Sequence, residues 1–114
     1  MKDRVITNQG YDKLGGVYLT FFTPTYNRSK FLKRVYDNLL KQTDKRFCWI
    51  VVNDGSTDDT DEIMRHILNR NDIPICYISK NNGGKHSAFQ YALKQCQTEL
   101  FVSGHFRPYC VPNI

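Results

Sequence analysis

From Val17 onward the chain alternates short apolar runs with longer stretches in which apolar positions recur at helical spacing. Residues 17–23 are nearly continuous in apolar and β-branched side chains, the pattern of a strand covered on both faces. Phe31, Val35 and Leu39 then fall at i, i+4 and i+8, with Leu32, Tyr36 and Leu40 beside them. This predicts a helix packed on that strand, with Asn27 or Ser29 able to cap its start. The unit repeats: residues 47–52 read as a second buried strand, and residues 56–59 supply a cap and an acidic first turn for a helix bearing Ile63, Met64, Ile67 and Leu68. Residues 75–79 read as a third strand, followed by a helix with Ala88, Ala92 and Cys96 on one side. Residues 100–102 open a fourth strand.

Strand–helix–strand crossovers are right-handed and pair their strands in parallel. Four strands joined by three helices therefore predict an α/β fold, an open parallel sheet with helices on both faces. All strand carboxyl ends then share one edge, and ligands of such sheets bind there, near the point where strand order reverses. Residues 1–16 are polar, contain the Gly15-Gly16 pair and read as an N-terminal extension without an assigned role.

Composition changes this picture little. The apolar fraction of 40% argues against disorder. No apolar stretch approaches the roughly 20 residues a membrane span needs. The first ten residues lack the apolar core of a secretory signal, so a cytoplasmic location is the default expectation. Cys48, Cys76, Cys96 and Cys110 form no C-x-x-C pair and read as buried thiols rather than a zinc site. The net charge of +5 is spread along the chain, which suits a solvated basic face or attraction to phosphates. No nucleic-acid-binding pattern accompanies it.

The segments after the three predicted strands are residues 23–28 (T-P-T-Y-N-R), 53–58 (N-D-G-S-T-D) and 81–86 (N-N-G-G-K-H). Each alone is what an ordinary turn requires. Together at one edge they offer what a nucleoside phosphate needs: an aromatic face in Tyr26, an acceptor in Asp54 and a cation in Lys85. Asp54 ends an apolar run, where a carboxylate is costly unless paired or hydrogen-bonded; capping of the next helix is its alternative role. The first turn contains no glycine, which excludes a dinucleotide fingerprint. Gly84-Lys85 is not a P-loop, because Ser79 and His86 stand where glycine and Ser or Thr belong. No metalloprotease or serine-hydrolase motif occurs. The first turn also lacks the carboxylates of a receiver-like signalling domain.

The three segments F-T-P-T-Y-N-R, W-I-V-V-N-D-G-S-T-D-D-T and N-N-G-G-K-H-S-A, in this order, resemble the family 2 glycosyltransferases of the GT-A fold. The likeness covers residues 17–102 and leaves residues 103–114 as a divergent tail. It implies inverting transfer of a sugar from a nucleotide diphosphate, usually uridine diphosphate, to a glycan or lipid-linked acceptor, as in polysaccharide biosynthesis. It assigns Asp54 to the base, Pro24, Thr25 and Tyr26 to the lining around it, and Lys85 to its vicinity. Relatives often carry a second Asp where this chain has Asn53.

The resemblance also implies a magnesium or manganese ion held by an acidic D-x-D just past the fourth strand. Here that segment reads S-G-H-F-R-P-Y-C, and no Asp or Glu follows Glu99. The expectation is therefore that these 114 residues hold no metal by themselves, that the general base of the family lies beyond them, and that they are an incomplete, inactive portion of a transferase. A non-catalytic nucleotide-binding module is the alternative. Peripheral association with the inner face of a membrane and self-association through an unpaired sheet edge remain open.

Overall fold

The computed structural model describes residues 4–12, 19–43, 46–80, 90–92, 94–95 and 100–102. Its elements are β1 (Arg4–Thr7), α1 (Gln9–Asp12), β2 (Leu19–Thr25), α2 (Ser29–Leu40), β3 (Phe47–Asp54), α3 (Thr60–Arg70), β4 (Ile75–Lys80) and β5 (Leu100–Val102). Residues 90–92 and 94–95 are helical. The strands form one sheet in the order β1-β4-β3-β2-β5. The pairs β2/β3, β3/β4 and β2/β5 are parallel, as expected from the crossovers.

The N-terminal extension is more than a leader into the sheet. Arg4–Thr7 adds a fifth strand, antiparallel to β4, with Val5 opposite Ile78 and Ile6 opposite Tyr77. Asn8 anchors the segment that follows: its Nδ2 donates to Ile73 O at 2.7 Å, and its Oδ1 accepts from Tyr11 N and Ile75 N, each at 3.0 Å. One side chain thus caps α1 and satisfies the backbone where β4 begins.

The core lies on both faces of the sheet. On one face Phe21, Phe47, Trp49, Val51, Ile75 and Tyr77 meet Leu32, Val35, Tyr36 and Leu39 of α2 and Met64, Ile67 and Leu68 of α3. Trp49 stacks on Tyr36 with centroids 6.3 Å apart, and its indole N–H donates to Thr23 Oγ1 at 3.0 Å. On the other face Phe22, Cys48, Ile50, Val52, Cys76 and Ile78 meet Tyr11 and Ala92. Alternation along each strand therefore decides which face a residue serves.

Cys48 and Cys76 are buried thiols. Burial pushes the Cys76 thiol up to about 12, helped by the neighbouring Cys48. Cys96 and Cys110 lie outside the described residues.

Strand order reverses beside β2: the chain steps from β2 to β3 to β4 on one side, then places β5 on the other. The end of β2 thus borders the crevice that such a reversal opens.

Candidate nucleotide-binding site

Both strands that carry predicted site residues run further than the apolar runs indicated. β2 extends to Thr25 and β3 to Asp54, so Pro24 and Thr25 pair with Val52 and Asn53 and are sheet residues rather than loop residues. Pro24 is tolerated because β5 pairs with β2 only as far as Phe21, leaving that flank of β2 without a ladder partner among the described residues. Tyr26 leaves the sheet one residue later and is 47% exposed.

The face alternation separates these residues. Pro24 follows Phe22 onto the face that carries Ile50 and Val52, which is also the face of Asp54. Thr25 follows Thr23 onto the opposite face, the one that carries Asn53. Thr25 is buried, and its hydroxyl has no hydrogen-bond partner among the described residues. Lys85, His86 and the rest of the third predicted segment lie outside the described residues.

Asp54 ends β3 opposite Lys80, the last residue of β4. The Lys80 ammonium stands 2.5 Å from Asp54 Oδ1, with the two side chains 4% and 14% exposed. Lys80 also lies 5.9 Å from the centroid of the Tyr91 ring, a cation–π distance. Lys80 was not among the residues singled out from sequence. Its signal was a charge closing the apolar run 75–79, the same reasoning that had selected Asp54.

Beyond the strand ends the two turns are tied together. Asn27 sits in the left-handed region at φ 52°. Its backbone N–H donates to Ser56 Oγ at 2.9 Å, and its Oδ1 accepts from Thr57 N at 2.8 Å and Asp58 N at 3.2 Å. Asn27 is therefore a clamp between turns and not the cap of α2. That cap position belongs to Arg28, which makes no side-chain capping bond. Gly55 takes φ 83°, which a side chain would resist, and so lets β3 turn sharply after Asp54.

Asp58 closes the second turn. Its Oδ1 accepts from the Thr60 hydroxyl and backbone N–H, and its Oδ2 accepts from Ser29 N at 3.4 Å. Burial works to raise its carboxyl, but the Thr60 and Ser29 donors outweigh it and hold the group below the ordinary carboxylate range.

The segment joining these features matches a known family. The model of glycosyl transferase family 2 covers residues 20–103. The chain belongs to that family. A glycosyltransferase of Rickettsia typhi is 40% identical over 83 residues, which are 73% of this chain and 25% of that protein. The poly(ribitol-phosphate) β-N-acetylglucosaminyltransferase TarS of Staphylococcus aureus is 35% identical over 83 residues, 69% of this chain and 14% of its own length. The family 2 chain thus spans a quarter or less of each of these two relatives.

Among solved structures, residues 1–349 of S. aureus TarS in complex with UDP-GlcNAc superpose with a TM-score of 0.66 at 32% identity, over 76% of this chain and 26% of that one. A mannosyltransferase of Pyrobaculum calidifontis, in complex with GDP-Man and Mn2+, superposes with a TM-score of 0.68 over 78% of this chain and 28% of that one. At 22% identity it speaks for the shared fold alone.

The metal expected for the family is not accommodated by the described part of this family 2 chain. Among the described residues no three His, Cys, Asp or Glu side chains are grouped as ligands, and the Asp54 carboxylate is engaged by an ammonium.

Proposed function

We propose that this chain holds the nucleoside end of a nucleotide-diphosphate sugar, most simply a uridine diphosphate sugar, for a family 2 glycosyltransferase. The observation that carries the reading is the placement of Asp54. It is a nearly buried carboxylate at the carboxyl edge of the sheet, fixed in direction by Lys80, released from the strand by the Gly55 turn, and one strand away from the reversal crevice. A carboxylate offers about four acceptor positions, so it can meet a base N–H while paired. TarS, bound to UDP-GlcNAc and to UDP in two of its structures, supports uridine as the base.

In this proposal Tyr26, exposed beside the crevice, covers the base, and Pro24 on the face of Asp54 borders it. Thr25, turned to the opposite face, takes part through its strand-end backbone, and Lys85 supplies the cation. The acceptor is a glycan or a lipid-linked one, a reading supported by the undecaprenyl-phosphate transferase of Pseudomonas syringae, 29% identical over 90 residues. No described helix is long and apolar enough to cross a membrane. With no carboxylate after Glu99, the 114-residue polypeptide alone binds nucleotide and transfers no sugar.

Calorimetric titration of the chain with UDP, in the presence and absence of manganese, tests the proposal. Binding is expected without the metal, and Asp54→Ala is expected to abolish it. Absence of binding by the intact chain, or equal binding by the variant, overturns it.

A further inference from the structure

The turn after β3 hangs on a chain of three side chains, two of them buried and the third, Asp61, 41% exposed. Asn53, 3% exposed, donates from Nδ2 to Tyr77 Oη at 2.8 Å, and Tyr77, 1% exposed, donates in turn to Asp61 Oδ1 at 2.5 Å. The other end of the Asn53 amide, Oδ1, accepts from Ser56 N at 2.9 Å. A backbone N–H can only donate, so this bond by itself fixes which end of the amide faces the turn and leaves the NH2 aimed at Tyr77. Asp61 is flanked by Arg4 at 3.5 Å and Arg65 at 4.0 Å, both of them donors. The phenol has one proton, and it goes to Asp61. Its oxygen then receives from the Asn53 amide, with the Ser79 hydroxyl as a second partner.

We propose that Asn53 is a positioning residue for the nucleoside-binding turn: its amide, donor toward Tyr77 and acceptor toward Ser56, sets where Asp54, Gly55 and Ser56 stand, and an aspartate cannot replace it. The inference rests on the nucleoside-binding reading above. A carboxylate at 53 could still accept from Ser56, but it would face Tyr77 with nothing to give. Two carboxylates, at 53 and 61, would compete for one phenolic proton. The nearby charges offer no relief: Arg4 and Arg65 lie on the far side of Asp61, and Lys80 is engaged by Asp54 on the opposite face of the sheet. Burial and Asp61 both hold the Tyr77 phenol above its ordinary range, so it does not ionise to resolve the conflict. Any displacement of Ser56 passes through its hydroxyl to Asn27 and so to the turn beside Tyr26.

The sign of the pH effect follows. An aspartate at 53 restores the lost donor only by binding a proton, so its pKa is raised, and the defect is present at neutral pH and relieved in acid. The direction of the chain can also be reversed. In Asn53→Asp combined with Asp61→Asn, the new amide at 61 donates to Tyr77 Oη, and the phenol donates to the new carboxylate at 53.

The test is UDP affinity by calorimetry together with thermal melting for the full chain, Asn53→Asp, Asp61→Asn and the double variant, at about pH 7.5 and about pH 5. Asn53→Asp is expected to bind UDP about tenfold or more weakly and to melt lower at the higher pH, to recover part of both in acid, and to be rescued by Asp61→Asn at either pH. Unchanged melting and affinity in Asn53→Asp would overturn the proposal, as would a loss that the double variant does not rescue. Lower melting with unchanged affinity makes the chain structural only and refutes the positioning role. If the unmodified chain binds no UDP while melting follows the predicted pattern, the nucleoside reading fails, the positioning role fails with it, and the directed chain stands.

Discussion

Asp54 and Lys80 close the last rung between β3 and β4, their charged atoms 2.5 Å apart and their side chains almost fully withdrawn from water. A pair in such a place contributes little net stability while both partners are present, but removal of one leaves the other desolvated without its counter-charge. Asp54→Ala is therefore expected to cost about 3–5 kcal/mol, a large share of the stability of a small domain. Asp54→Ala combined with Lys80→Met is expected to recover part of that loss, because neither charge remains. UDP binding should be absent from both variants. Chemical denaturation and calorimetry check the two halves separately, and recovery of binding in the double variant would show that Asp54 is not the acceptor.

Asn27 joins the turns after β2 and β3 from a left-handed backbone. Asn27→Ala removes the acceptor for two backbone N–H groups and keeps a Cβ at φ 52° without the polar side chain that makes this backbone tolerable for Asn. Asn27→Gly removes the same acceptor without the steric strain. The alanine variant is expected to lose about 2–3 kcal/mol and the glycine variant about 1 kcal/mol. Denaturation midpoints in the order unmodified, glycine, alanine support the clamp. Equal losses for the two variants would show that backbone strain at this position is unimportant.

The four parallel strands, their helices and the edge that collects Pro24, Tyr26 and Asp54 were legible because burial on both faces writes continuous apolar runs, and helices write their own period. What escaped is local or paired. Arg4–Thr7 is an edge strand with one covered face, and four residues are too few to display alternation. The end of β3 was set two residues short and that of β4 one residue short because Asn53, Asp54 and Lys80 are polar, and their burial depends on partners from other strands: Tyr77 for Asn53, and each other for Asp54 and Lys80. Asn27 looked like a cap because Asn caps helices, and only the approach of the second turn reveals what its side chain accepts.

Trp49 is fully buried at the centre of the larger core cluster, stacked on Tyr36 and bonded to Thr23. Trp49→Phe removes the indole N–H, leaves the Thr23 hydroxyl without that donor and opens a gap, and is expected to cost about 2 kcal/mol. Trp49→Ala is expected to cost about 3–5 kcal/mol. Thr23→Val should reduce the cost of Trp49→Phe, since it removes the orphaned hydroxyl. A double-mutant cycle from denaturation curves measures this coupling, and additive losses would show that the 3.0 Å bond carries no energy.

Tyr36 offers a measurement at alkaline pH. Its phenol donates to Asp72 Oδ2 at 2.5 Å while Arg70 lies over its ring, 5.6 Å from the centroid. Burial first, and then the bond to Asp72, push it from 10.0 up to about 12. The folded chain therefore keeps this proton where the unfolded chain has lost it. The stabilisation is complete below pH 10.0 and disappears as pH rises through about 12, amounting to about 2–3 kcal/mol across that window. Tyr77 and Cys76, also raised, contribute in the same direction, so the unmodified chain alone does not isolate Tyr36. Tyr36→Phe does: it should be less stable by about 1 kcal/mol at neutral pH, from loss of the bond to Asp72, and should lose less on further alkalinisation. Denaturation of the two proteins at intervals over that range should give stability curves that converge and then cross. Parallel curves would mean that the phenol titrates as it would in water, and that its burial beneath Arg70 does not control its proton.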